Sequence, residues 1–78
     1  MNVKVLSKPR CVQCDATKRK LEKLGVAYEE VDLTVDADAL NEALSLGYQS
    51  APVVIVGDKH WSGFRPDKLE ALVLQEVA

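Results

Sequence analysis

The stretch "RCVQCDATKRKLEKLG", Arg10 to Gly25, holds both cysteines of the chain, Cys11 and Cys14, and runs directly into a helical pattern. Cys14, Thr17, Leu21 and Leu24 fall on one face at helical spacing, so a helix is expected from Val12 to Leu24. Gly25 is placed to end it as the C′ residue. Upstream, "VKVLS" (Val3–Ser7) alternates weakly and stops at Lys8-Pro9, as a strand would. Two thiols therefore stand between a strand and the first turn of a helix. Their spacing admits a structural staple, half of a metal site, or a reversible redox couple.

Outward from that stretch the chain keeps alternating. "VAYEEVDL" (Val26–Leu33) reads as a second strand. Asp36 or Asp38 can cap a second helix with Leu40, Ala43 and Leu44 on its inner face, closed by Gly47. "PVVIV" (Pro52–Val56) is a β-branched run of the kind found in a buried central strand. Gly57-Asp58 turns it into a shorter strand in "KHWSGF". Pro66 suits the first position of a last helix, with Leu69, Leu72 and Val73 facing inward. The expected order is β-α-β-α-β-β-α. The first βαβ unit should be parallel and right-handed, and the last strand pair antiparallel. That describes an α/β fold, a four-stranded mixed sheet flanked by three helices on both faces, in a single domain over residues 1–78.

Composition bounds the function. A chain of 78 residues is near the lower limit for a self-sufficient core, and 47% apolar residues make a compact one feasible. A net charge of −2 gives no basic excess for nucleic acid. The longest apolar run, Ala51–Val56, is too short to span a bilayer. "MNVKVLSKP" carries no apolar h-region, so no signal peptide is expected and the chain reads as cytoplasmic. Thiols there are kept reduced, and a cysteine pair is more often catalytic or metal-binding than structural.

A disulfide between Cys11 and Cys14 would close a tiny ring and cross-link nothing distant, which argues against a staple. Structural zinc wants four ligands. The chain offers two cysteines and one histidine, His60, on a distant strand, so no metal site is expected within one copy. Redox chemistry remains. Cys11 stands at a helix N-terminus, where unpaired N–H groups and the helix dipole favour a thiolate, and Lys8 and Arg10 add to that field. Cys14, one turn in, would be more buried and act second. A C-x-x-C beside a βαβ pattern is a thioredoxin-like sign. Ala51-Pro52 precedes the buried strand. Pro52 is either a plain strand-start proline or a cis proline facing the cysteines, leaving the Ala51 backbone free to pair with an extended partner.

On these residues the chain resembles the thioredoxin superfamily over nearly its whole length. "SKPRCVQC" is similar to the SKP-x-C-x-x-C of glutaredoxins, and "SAPVV" to their cis-proline segment. "CVQC" together with "WSGFRP" (Trp61–Pro66) resembles the NrdH-type redoxins. The resemblance implies a hydrogen donor for class Ib ribonucleotide reductase, acting on its large subunit and itself reduced by thioredoxin reductase. No bound cofactor is implied, and a monomer is expected. It makes Cys11 and Cys14 the catalytic pair and Lys8, Val12, Gln13, Ala51, Pro52, Trp61 and Arg65 the candidates for partner contact. Val12 and the Ala51 backbone would form a flat, mostly apolar rim. Trp61 reads equally as ordinary core, and Lys8 as an exposed loop lysine.

Glutaredoxins carry an acid near where this chain has Arg65, and a cation there would repel the amino end of glutathione. Asp67, two residues on, could take over that role. The alternatives left standing are a glutathione-dependent glutaredoxin, an iron–sulfur carrier using Cys11 across a dimer, and an adaptor without turnover. "KRK" (Lys18–Lys20) reads as a solvated helix face, and His60 as a surface strand residue.

Overall fold

A computed structural model describes residues 2–77. The elements follow the expected order: β1 (Val3–Ser7), α1 (Val12–Lys23), β2 (Glu29–Asp32), α2 (Ala37–Ser45), β3 (Val53–Val56), β4 (Lys59–Ser62) and α3 (Pro66–Val77). The sheet order is β2-β1-β3-β4. β1 runs parallel to β2 and antiparallel to β3, and β3 is antiparallel to β4. The parallel pair needs a crossover, and α1 supplies it.

Period-two alternation along β1 and β3 divides the core in two. Val3, Val5, Val54 and Val56 join Leu21, Trp61, Leu69 and Leu72 on the face covered by α1 and α3. Leu6 and Val53 point the other way, onto Ala39 and Ala43 of α2. Both faces of the central strands are thus buried, which is why "PVVIV" is apolar without interruption.

Three details depart from the sequence expectation. The second strand is shorter than Val26–Leu33, because the Val26 N–H belongs to the end of α1. It donates to Leu21 O at 3.0 Å while the Gly25 N–H donates to Glu22 O at 3.1 Å. This is a Schellman closure, with Gly25 in the left-handed region at φ 74°. α2 ends the same way, Tyr48 to Ala43 and Gly47 to Leu44.

The inner face of α2 is also different. Asp36 is its N-cap, accepting the Ala39 N–H. Ala39 and Ala43 face the sheet, whereas Leu40 and Leu44 remain 42% and 50% exposed. Alanines let the helix axis approach the sheet closely, and the leucines are pushed to its flank.

The third departure is the basic run. Lys18 pairs with Glu30 at 2.8 Å and Lys20 with Glu70 at 2.8 Å, tying α1 to β2 and to α3. Of these three cations, Arg19 alone stays exposed without an ion-pair partner among the described residues.

Burial sets the expected costs. Leu69→Ala should lose about 2–5 kcal/mol of unfolding free energy in urea titration, since Leu69 is fully buried. Leu44→Ala should lose under about 1 kcal/mol, because its side chain is already half in water. Equal losses at the two positions would contradict the packing of α2.

Candidate functional site: a helix-capping disulfide

The C-terminal end of β1 delivers the chain into a turn at Pro9 and Arg10. Arg10 takes a left-handed backbone, φ 57°, unusual for a residue with a Cβ. The turn reverses the chain so that Cys11, in extended conformation, becomes the N-cap of α1. Its side chain does what a serine or aspartate does elsewhere: Sγ accepts the Cys14 N–H at 3.1 Å. The Cys11 O accepts the Asp15 N–H at 3.1 Å, the first helical bond.

Cys11 and Cys14 are joined as a disulfide, with Cα atoms 5.1 Å apart. Their exposures differ in the expected sense, 8% for Cys11 and 1% for Cys14. When the pair is reduced, the Cys14 N–H and the helix dipole bear on Cys11 alone, so the negative charge is favoured on the outer sulfur.

The cis-proline expectation is met: the Ala51-Pro52 bond is cis. Leu6 pairs with Val53, so Pro52 stands at the same end of the sheet as the Cys11 turn. Pro52 is buried and Ala51 partly exposed. The Pro52 carbonyl accepts the Gly63 N–H at 2.9 Å, which draws the loop after β4 to the same end. Gln13, between the cysteines, reaches that loop and accepts the Phe64 N–H on its Oε1 at 3.0 Å. A Cβ at Gly63 would lie 3.2 Å from that oxygen, so the loop approaches α1 as closely as glycine allows.

Lys8, Ala51, Tyr48, Leu33, Leu40 and Leu44 border a groove of about 380 Å³ beside α2. The leucines expelled from the core form its wall. Val12, 79% exposed, stands on the helix beside Cys11. The segment "WSGFRP" divides its duties. Trp61 is 6% exposed and packs in the core under α3, with Lys68 over its ring at 5.7 Å, so it is not brought to the rim. Arg65 is exposed but not free: Asp67 binds it through two contacts of 3.2 and 3.0 Å. The cation that should repel glutathione is paired with the very acid that could have replaced the missing one. The Arg65 guanidinium holds the Asp67 carboxyl below its usual value.

The comparisons agree with the geometry. Residues 3–61 match the glutaredoxin family model. The glutaredoxin-like protein NrdH of Salmonella typhimurium is 40% identical over 92% of this chain and 89% of its own length. This chain belongs to the glutaredoxin family, among its NrdH-like members. Within that family the solved glutaredoxin-like NrdH-redoxin of Escherichia coli, described as having a thioredoxin-like activity profile, superposes with a TM-score of 0.88. It is 39% identical over 92% of this chain and 95% of that one. A buckwheat glutaredoxin in complex with glutathione is more distant, with a TM-score of 0.73 and 28% identity over 95% of this chain and 76% of that one.

Sequence reasoning missed two features of the site. One is the Gln13 tether, which spans 51 residues of sequence and has no local signal. The other is the cluster beneath the Cys11 turn. Ser7 Oγ donates to Glu30 Oε2 at 2.8 Å, and Lys18 donates to the same oxygen at 2.8 Å. Lys18, with Ser7 adding to it, holds the Glu30 carboxyl below its ordinary 4.5, and Glu30 in turn raises Lys18 above 10.5.

This pair fixes a pH dependence. The Glu30 contribution is complete above pH ~4.5 and fades as pH falls through its lowered pKa; the Lys18 contribution is complete below pH ~10.5 and fades above it. Because both groups are partly solvated, Glu30→Gln should cost only about 0.5–1 kcal/mol at pH 7. The gap between variant and wild type should narrow in urea titrations as pH falls below ~4.5 through the lowered Glu30 pKa. A gap that stays constant down to pH 3 would assign the loss to packing instead.

Proposed function

We propose that this protein is a dithiol–disulfide oxidoreductase that delivers hydrogen to class Ib ribonucleotide reductase and is regenerated by thioredoxin reductase. The observation that carries the chemistry is the position of Cys11, whose sulfur caps α1 at the surface end of the sheet while Cys14 is sealed behind it. The NrdH relatives, similar over about nine-tenths of both chains, support the choice of partner.

The reaction balances within the two cysteines and the substrate. The Cys11 thiolate attacks one sulfur of the partner disulfide; a Cys11–partner bond forms, the partner bond breaks, and one partner thiolate leaves and takes a proton. The Cys14 thiolate then attacks the Cys11 sulfur. The internal disulfide forms, and the second partner thiolate leaves. Two electrons pass to the partner, and the oxidised product is the Cys11–Cys14 pair described above. Thioredoxin reductase, drawing on NADPH, would return those electrons.

The side chains around the pair suit an extended protein segment. Ala51 offers backbone groups for strand-like pairing beside Pro52. Val12 and the groove wall offer apolar contact, and Lys8 offers a cation to an acidic neighbour. The reading takes residues 1–78 as one domain acting as a monomer in the cytoplasm, where thioredoxin reductase and NADPH are at hand. Among the described residues no helix is long and apolar enough to cross a membrane.

Two measurements test the reading. The Cys14→Ser variant should accumulate a mixed disulfide with its protein partner, because Cys11 can attack but nothing can resolve; Cys11→Ser should accumulate none. The reverse pattern would exchange the roles. In paired assays, the wild type should be reduced rapidly by NADPH and thioredoxin reductase and slowly by NADPH, glutathione and glutathione reductase. Fast turnover with glutathione alone would make it a glutathione-dependent glutaredoxin.

A further inference from the structure

We infer that Gln13 is a specificity-determining residue whose side chain occupies the anchoring position a small thiol would use beside the disulfide, leaving the site to disulfides carried on proteins. The inference rests on the dithiol reading above and assigns its selectivity to one side chain.

A small thiol joined to Cys11 buries little surface, so it must be held by its charged ends. An amino-acid end needs an N–H donor or a cation for its carboxylate within a few ångströms of the sulfur. The loop at Gly63 and Phe64 is tied to the helix that carries both cysteines. Its exposed donor is the Phe64 N–H, and the Gln13 Oε1 holds it at 3.0 Å. The next donor along the loop, the Arg65 guanidinium, spends two contacts on Asp67. A Cβ at position 63 would lie 3.2 Å from the Gln13 oxygen, so glycine there lets the loop come this close to that side chain. The Phe64 N–H and two of the Arg65 donors on this flank are therefore engaged internally.

The opposite flank differs. Lys8 and Arg10 have no ion-pair partner among the described residues, and the groove past Ala51 is lined mainly by apolar side chains. A protein segment spanning that groove gains contacts over a large area and can leave the Phe64 N–H untouched. A tripeptide thiol cannot. Gln13 acts here without touching reacting atoms; it removes an anchor from one class of substrate.

The test uses glutathione as the probe and compares Gln13→Ala, Gln13→Ser and Gln13→Glu with the wild type. Alanine and serine free the Phe64 N–H. Glutamate keeps an oxygen on it and adds a negative charge. Reduction of the oxidised protein by glutathione, coupled to glutathione reductase, should rise about fivefold in kcat/KM for Gln13→Ala and Gln13→Ser, the gain expected from one recovered hydrogen bond. The gain should lie in KM, and Gln13→Glu should stay at or below wild type. No rise in either truncated variant overturns the inference. So does a rise confined to kcat, or an equal rise in Gln13→Glu, since both would reflect a loosened disulfide. Wild-type turnover with thioredoxin reductase, run in parallel, tests the dithiol reading independently of Gln13: without it the dithiol reading fails whatever the variants do.

Discussion

The Cys14 N–H points at the Cys11 sulfur, and the rest of the site is arranged around that hydrogen bond. A helix N-terminus presents donors that some acceptor must satisfy. In most helices an oxygen of serine, threonine or aspartate does so. Here the acceptor is the reacting atom, so the group that stabilises the helix and the group that attacks substrate are the same. Stabilising the helix start and stabilising a thiolate become one physical effect. It also explains the polarity of the pair: only the outer sulfur can sit at the cap, and the inner one is carried round to the buried face of α1.

That arrangement needs a rigid base, and the sheet provides it. β1 lies between a parallel and an antiparallel neighbour, with valines facing one layer of helices and a leucine facing the other. Its C-terminal end cannot shift without disturbing both layers. The antiparallel register with β3 then brings Pro52 to the same end, and the Pro52 carbonyl brings Gly63. Three chain segments far apart in sequence converge on one edge through backbone geometry alone. Tight packing of α2 through Ala39 and Ala43 has a further consequence at that edge: Leu40 and Leu44, excluded from the core, wall a groove that opens beside Ala51.

The electrostatics of the loop before α3 illustrate how a charge read from sequence changes meaning in three dimensions. Arg65 alone would be a repulsive cation for an ammonium group. Arg65 bound to Asp67 is a nearly neutral unit, exposed and weak as a determinant. Selectivity resting on it alone would be slight. The carboxamide of Gln13, uncharged and easily overlooked, engages a backbone donor of the same loop.

Much of this was determined by the sequence alone. The spacing of Cys14, Thr17, Leu21 and Leu24 set α1, Gly25 and Gly47 set the two helix ends, and the "PVVIV" run set the central strand. These features are local or periodic, and periodicity survives in one dimension. The thiol pair at a helix start likewise defined the chemistry, because a helix dipole acts within one turn. The tertiary structure decided what depends on neighbours distant in sequence. It chose Ala39 over Leu40 for the face of α2, since the closeness of helix and sheet is a property of both. It cut the second strand short, because the Val26 N–H was already spoken for by Leu21. It turned two of the three cations of "KRK" into ties to Glu30 and Glu70, buried Trp61, and joined Gln13 to Phe64. Each of these is a pairing between side chains or backbone groups brought together only when the sheet closes, and no pattern along the chain records which partner a polar group will meet.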